Sequence, residues 1–185
     1  MKKLVSVVIR TLNESDYLDE LLSKIGGQLR DRYDIEVVIV DSGSTDNTLD
    51  IAKKWQAKIT YIKKENFSFG RSLNIGCKFA NGEFLVFISG HCIPVGDDWV
   101  ANLVEPLETI CGYTYGQQSG RDATKFSERE LFKKYFPNES RVPQKGFFIN
   151  NANSAIRKDI WKKYLFDEEL TGCEDMDLAK KLVDD

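Results

Sequence analysis

This sequence is short of the residues that build metal centres and disulfide frameworks: it has one histidine, His91, and four cysteines. Cys77, Cys92, Cys111 and Cys173 lie far apart with no Cys-x-x-Cys spacing, which argues against a structural zinc site and a disulfide framework alike. Reduced thiols are expected. No stretch approaches the ~20 apolar residues that cross a bilayer. The apolar run behind Lys2 and Lys3 ends at Arg10, too early for the hydrophobic region of a signal peptide, and no small-residue cleavage site follows. A first strand is the better reading of that segment, and a cytoplasmic chain the expectation. Neither sign of charge dominates: Lys plus Arg total 26 against 29 Asp plus Glu, a net charge of -3. Nothing draws such a chain electrostatically to nucleic acid or anionic lipid, and nucleic acid is not expected as a partner. A Gly-x-Gly-x-x-Gly turn after the first strand is absent, as is a Gly-x-x-x-x-Gly-Lys-Ser/Thr loop, which argues against nicotinamide binding and P-loop chemistry.

What is present reads as one core and one domain: 185 residues, 42% hydrophobic and 11% aromatic, with no repeat or low-complexity linker. Apolar runs alternate with helical patterns. Leu4–Arg10 is strand-like, and Leu18, Leu21, Leu22 and Ile25 recur at helical spacing behind Asn13-Glu14-Ser15. Ile35–Val40 is a β-branched strand, and Ser42–Asp46 supplies turn and cap chemistry for a helix through Leu49, Ala52 and Trp55. A third strand is expected over Lys58–Ile62, a third helix over Arg71–Ala80, and a fourth, fully apolar strand over Phe84–Ile88. Strands separated by helices predict an α/β fold with a doubly wound, mostly parallel sheet and right-handed crossovers.

After Pro94 the pattern loosens. Trp99, Leu103 and Leu107 predict a helix that Pro106 kinks or shortens, with Asp97 and Asp98 capping it. Strands are expected over Gly112–Gln118 and Phe147–Asn150, a short turn at Ser154-Ala155, and helices over Ser127–Phe136, Lys158–Tyr164 and Asp175–Val183.

Polar groups at strand ends are the candidate site, because a doubly wound sheet places its ligand crevice there. Taken singly they stay ambiguous. Thr11-Leu12-Asn13-Glu14 is either a nucleotide-contacting loop or an ordinary helix start capped by Asn13 or Ser15. Asp41 either accepts hydrogen bonds from a ribose or base or begins an Asx turn into Ser42-Gly43. Arg71 is either a solvated helix-start arginine or, with Gly70 allowing a tight turn, a phosphate-binding guanidinium aimed inward. Phe67 and Phe69 read as core packing. Asn151 and Asn153 suit sugar hydroxyls or a loop backbone, and Glu174-Asp175 is an acidic pair or a helix N-terminus carrying the expected charge.

Together these segments resemble the family-two glycosyltransferases, which have the GT-A fold. The resemblance is carried by Val7–Glu14, Val38–Thr48, Phe67–Gly76, Asn151–Ala155 and Glu174–Asp177, in the family's order and over nearly the whole chain. It implies a nucleoside-diphosphate-sugar donor, with Thr11, Asn13 and Glu14 in the first nucleotide loop, Asp41 and Ser42 on base and ribose, and Arg71 near the diphosphate. It further implies that Asp175 takes the acceptor's proton in an inverting transfer, with Glu174 the second candidate and Asn151 and Asn153 near the sugar. The family's Asp-x-Asp position is occupied here by Ser89-Gly90-His91, so both carboxylates that would hold a cation are missing. Ser89 and His91 are expected near the diphosphate, His91 as the one candidate metal ligand, and any manganese or magnesium is expected to bind weakly. The implied acceptor is a glycan or lipid-linked hydroxyl in surface polysaccharide assembly, in the cytoplasm or at the inner face of the membrane. Residues 1–185 are expected to form a single domain lacking the C-terminal portion of a full enzyme, and peripheral membrane association is expected only through segments outside this chain. The competing class is a binding module that keeps sugar-nucleotide recognition through Asp41 and Arg71 without turnover.

Overall fold

A computed structural model describes residues 1–120 and 124–185. Four strands, β1 (Lys3–Thr11), β2 (Tyr33–Asp41), β3 (Lys58–Tyr61) and β4 (Phe84–Ser89), run parallel to one another. The inner three are apolar almost throughout because helices cover both faces of the sheet. On one face Val5, Val7 and Ile9 meet Leu18, Leu21, Leu22 and Ile25 of α1 (Ser15–Gly26), Ala52 of α2 (Thr48–Lys54) and Trp99, Val100 and Leu103 of α4 (Trp99–Val104). On the other, Val8, Val38, Val40, Leu85 and Phe87 meet Leu73 and Cys77 of α3 (Phe69–Phe79), Trp161 of α6 (Lys158–Tyr164) and Leu178 of α7 (Glu174–Asp184). Between α4 and α6 come β5 (Tyr113–Tyr115), α5 (Phe126–Tyr135), which buries none of its residues, and β6 (Asn153–Arg157).

The strand order is β3-β2-β1-β4-β6-β5, with β6 antiparallel to both β4 and β5. The winding therefore turns back between β1 and β4, and the crevice outside the carboxyl ends of those two strands is where such a sheet receives a ligand. Arg10 of β1 pairs with Val40 on one side and Ser89 on the other, so the ends of β1, β2 and β4 line one rim.

The expected doubly wound sheet is present, and its far edge differs from expectation. Phe147–Asn150 is irregular backbone, whereas the strand lies at Asn153–Arg157, where a turn was expected at Ser154-Ala155. β6 reads Asn-Ser-Ala-Ile-Arg, a sequence with little β-propensity of its own. It is a strand because β4 and β5 pair with it on both sides and bury Ser154, Ala155 and Ile156 completely. The Gly112–Gln118 strand contracts to Tyr113–Tyr115, and Pro106 ends α4 as expected, turning the chain into a 3-10 turn over Glu105–Glu108.

Candidate functional site

Asp41 organises one side of the rim. It is 1% exposed, and four donors reach its carboxylate: the Thr11 hydroxyl at 3.0 Å and the Ser44 hydroxyl at 2.5 Å on Oδ1, and the Gly43 and Ser44 N–H groups, both at 2.9 Å, on Oδ2. Ser42 donates from both its N–H and its hydroxyl to the Thr11 carbonyl at 3.0 Å. The β1–α1 and β2–α2 loops are laced together as well. Asn13, in a left-handed conformation at φ 57°, donates its N–H to Ser44 Oγ at 2.9 Å and accepts the Thr45 N–H on Oδ1 at 2.8 Å. The free N–H groups at the start of α1 are capped by the neighbouring loop rather than by Asn13 or Ser15: Glu14 donates to Thr48 Oγ1 at 2.8 Å and Ser15 to Asp46 Oδ2 at 3.1 Å. Thr48 and Ser15 hold the Asp46 carboxyl well below its ordinary range, the Thr48 hydroxyl contributing most.

At the end of β4 the chain turns through Ser89–Cys92, with the Cys92 N–H donating to the Ser89 carbonyl at 3.0 Å. Gly90 packs closely here. A Cβ on it would lie 2.8 Å from Glu14 Cγ and 3.3 Å from the Arg10 carbonyl, so a side chain would displace the Glu14 side chain. His91 projects outward, its side chain 61% exposed, with Nδ1 3.3 Å from Glu14 Oε1. One exposed imidazole and the carboxylate paired with it do not fit a resident magnesium ion, which demands an octahedral shell of oxygen donors. Among the described residues no three His, Cys, Asp or Glu side chains form a metal-binding group.

The acidic pair opens α7. Cys173, at φ 62°, precedes it, and Glu174 and Asp175 are 5% and 9% exposed. Asp175 accepts the Met176 N–H on Oδ1 at 2.8 Å and the Asn151 N–H on Oδ2 at 3.0 Å. Asn151 is itself 3% exposed, its Oδ1 accepting from the Tyr113 hydroxyl and, at 2.8 Å, from the Ser154 hydroxyl. Burial, followed by the charge of Asp175, pushes the Glu174 carboxyl up, while its own backbone N–H, and then Arg10, pull it down. Burial and the charges of Asp175 and Glu174 likewise push the Tyr113 phenol well above its ordinary value. Asp177 pairs with Lys181 at 2.6 Å on the helix surface, away from this cluster.

The remaining candidates have other partners. Arg71 lies inside α3, which starts two residues earlier than expected and is capped by Ser68 Oγ accepting the Arg71 N–H at 3.1 Å. Gly70 is helical and makes no turn. It is glycine because the Asp167 carbonyl would stand 2.0 Å from a Cβ there. The Arg71 guanidinium donates to Glu168 at 2.9 Å, to the Asn66 carbonyl at 2.9 Å and to Glu169 at 3.3 Å. Asn153 receives the Trp99 indole N–H at 2.8 Å and gives its amide to the Gln117 carbonyl at 3.0 Å, tying β6 to α4 and to the chain beyond β5. Asp98 stands at the α4 N-cap without a side-chain capping bond. Phe67 and Phe69 are not core residues. They are 38% and 42% exposed and pack edge to face at 5.4 Å. Thr11, Glu14, Asp41, Ser42, Ser89 and His91 thus line one rim, and Glu174, Asp175 and Asn151 gather at the start of α7. Arg10, Tyr113 and Phe69 were not marked as site residues by the sequence. An arginine inside the first motif, Val7–Glu14, was the available signal for Arg10.

Comparison with known proteins agrees with this architecture. The family model described as Glycosyl transferase family 2 matches residues 6–165. An uncharacterised glycosyltransferase of Rickettsia typhi is 30% identical over 189 residues, covering 97% of this chain and 58% of that protein. The poly(ribitol-phosphate) beta-N-acetylglucosaminyltransferase TarS of Staphylococcus aureus is 34% identical over 183 residues, covering 92% of this chain and 30% of that protein. Among solved structures, the mannosyltransferase of Pyrobaculum calidifontis in complex with GDP-Man and Mn2+ superposes with a TM-score of 0.73 at 22% identity, over 98% of this chain and 52% of that one. The chain thus spans less than two thirds of the length of each of these proteins.

Proposed function

The chain belongs to glycosyltransferase family 2, and from that premise we propose that it transfers a sugar from a nucleoside-diphosphate donor to a hydroxyl of a glycan or lipid-linked acceptor, with inversion at the anomeric carbon. The observation that carries this reading is the meeting, at one crevice, of a loop network built around Asp41 and an acidic pair at the start of α7. The first suits a nucleoside and the second a proton acceptor.

In this account Thr11, Asn13, Glu14, Asp41 and Ser42 frame base and ribose, and Arg71 exchanges its carboxylate partners for the diphosphate. Asn151 and Asn153 hold the loop that borders the sugar. Ser89 and His91 flank the leaving group, and dependence on manganese or magnesium is weak because the carboxylates usual at that position are absent. The acceptor oxygen forms its bond to the anomeric carbon as the bond to the diphosphate breaks on the opposite face, and the acceptor's proton passes to Asp175. Two backbone N–H groups orient that carboxylate and leave lone pairs for the proton. Assembly of a surface polysaccharide, in the cytoplasm or at the inner face of the membrane, is the biological setting we infer. No helix among the described residues is long and apolar enough to cross a membrane. A thermal-shift panel of nucleoside diphosphates and diphospho-sugars tests donor recognition: a ligand at 100 times its Kd stabilises the fold by about 2.7 kcal/mol. Absence of any shift across the panel contradicts the proposal.

A further inference from the structure

Arg10 has no role in the reaction just described, yet its charge lies inside the crevice. It is the penultimate residue of β1, and its side chain is only 18% exposed. An ionised group so placed is costly unless other groups compensate it. Two do. The guanidinium carbon lies 4.7 Å from the centre of the Phe69 ring, and Nη1 lies 3.9 Å from Glu174 Oε1. That same Nη1 is buried and has no hydrogen-bond partner among the described residues, as is true of Asn151 Nδ2. Arg10 is therefore held by stacking and by charge, with a donor to spare on the side of the acidic pair.

The pair needs such a neighbour. Burial and the charge of Asp175 both work against an ionised Glu174 carboxyl. Asp175 accepts two backbone N–H groups, and Glu174 faces the Arg10 guanidinium. The other groups around Glu174 give no positive charge: Tyr113 of β5 is held neutral, Asn151 is an amide, and Asp175 is its own neighbour on α7. Burial pulls Arg10 itself down, with Glu174, Asp175 and Tyr113 acting in the opposite sense, and an arginine keeps its proton under such pressure.

We propose that Arg10 is a positioning residue of this site: stacked on Phe69, its guanidinium holds the Glu174 carboxylate in place beside Asp175, so that the pair meets the acceptor as a fixed, charged unit. The part that concerns the acceptor rests on the glycosyl-transfer reading. The part that concerns Glu174 does not.

The test is the titration of Glu174 by NMR in the full-length protein with carboxyl-13C glutamate, without donor or acceptor, its resonance identified by its loss in Glu174→Gln. Arg10→Met is expected to raise the Glu174 midpoint by roughly one pH unit or more, the scale for losing an opposite charge at this distance. Arg10→Lys, which keeps the charge without the planar stacking surface, is expected to restore most of the shift. The acid limb of the kcat–pH profile should move upward with the midpoint in Arg10→Met. Phe69→Leu, which spares the charge and loosens the clamp, should raise the midpoint by less, and it carries the test if Arg10→Met does not fold. A Glu174 midpoint unchanged in folded Arg10→Met, or unchanged in Phe69→Leu where that variant carries the test, overturns the proposal and leaves the transferase reading standing. Failure of every donor to be transferred leaves the titration readable.

Discussion

The Thr11 hydroxyl donates to Asp41 Oδ1 at 3.0 Å across the ends of two neighbouring parallel strands, and that bond joins the loops that follow β1 and β2. Asp41 serves three further donors besides, so its carboxylate is a structural keystone of the rim as well as a candidate for the base or ribose. Asp41→Ala leaves the buried Thr11 hydroxyl without its acceptor, along with the part-buried Gly43 and Ser44 N–H groups. We expect a loss of about 1–3 kcal/mol in stability, the usual cost of leaving buried donors unmet, together with weaker nucleoside diphosphate binding. Denaturant unfolding and calorimetry read the two effects, and a variant as stable and as tight as the parent contradicts both.

Arg71 poses a choice between partners. It is engaged by Glu168 and Glu169, and the hydrogen bonds from Asn74 and then Arg71 hold the Glu168 carboxyl below its ordinary range. These half-exposed pairs are worth roughly 0–1 kcal/mol, little enough for a diphosphate to displace them. Arg71→Ala should therefore weaken nucleotide binding, whereas Glu168→Gln should leave it equal or tighter. Equal affinity in Arg71→Ala removes the residue from the site.

The divalent cation is the third test. With an exposed His91 paired to Glu14 at the position of the usual carboxylates, transfer is expected to persist after extensive chelation, and manganese to raise it only modestly. Tight, stoichiometric manganese binding that survives His91→Ala would be incompatible with this.

The raised Glu174 carboxyl also makes a prediction for stability, with its sign set by linkage. A carboxyl whose folded pKa lies above its unfolded one binds the proton more strongly when folded. Its contribution is fully present below the ordinary value of 4.5 and is lost as pH rises through the folded value. Relative to the parent, Glu174→Gln should therefore gain stability as pH climbs through that window. Urea unfolding at a series of pH values measures the difference, and a difference independent of pH contradicts the burial argument.

Much of this was legible in the sequence, and the exceptions share a cause. The parallel strands announce themselves because burial on both faces demands unbroken apolar runs such as Phe84–Ile88, and the loop residues because strand ends in this topology carry the polar contacts. β6 was illegible because Asn153–Arg157 owes its conformation to the strands on either side. The roles of Arg10 and Phe69 were hidden for a related reason. Nothing local tells that a side chain leaving β1 will meet one ring from α3 and one carboxylate from α7, 164 residues further along the chain. Gly70 misled in the opposite sense, since a glycine read as a turn is demanded by the passage of the Asp167 backbone.

The central claim is that Asp175 receives the acceptor's proton, and its most direct measurement is the turnover of Asp175→Asn in the full-length protein with its cognate donor and acceptor. The account predicts a fall in kcat of roughly 10²-fold or more, the scale of general-base catalysis, with nucleoside diphosphate affinity within a few-fold of the parent. Transfer at the parental rate would contradict it and pass the role of base to Glu174.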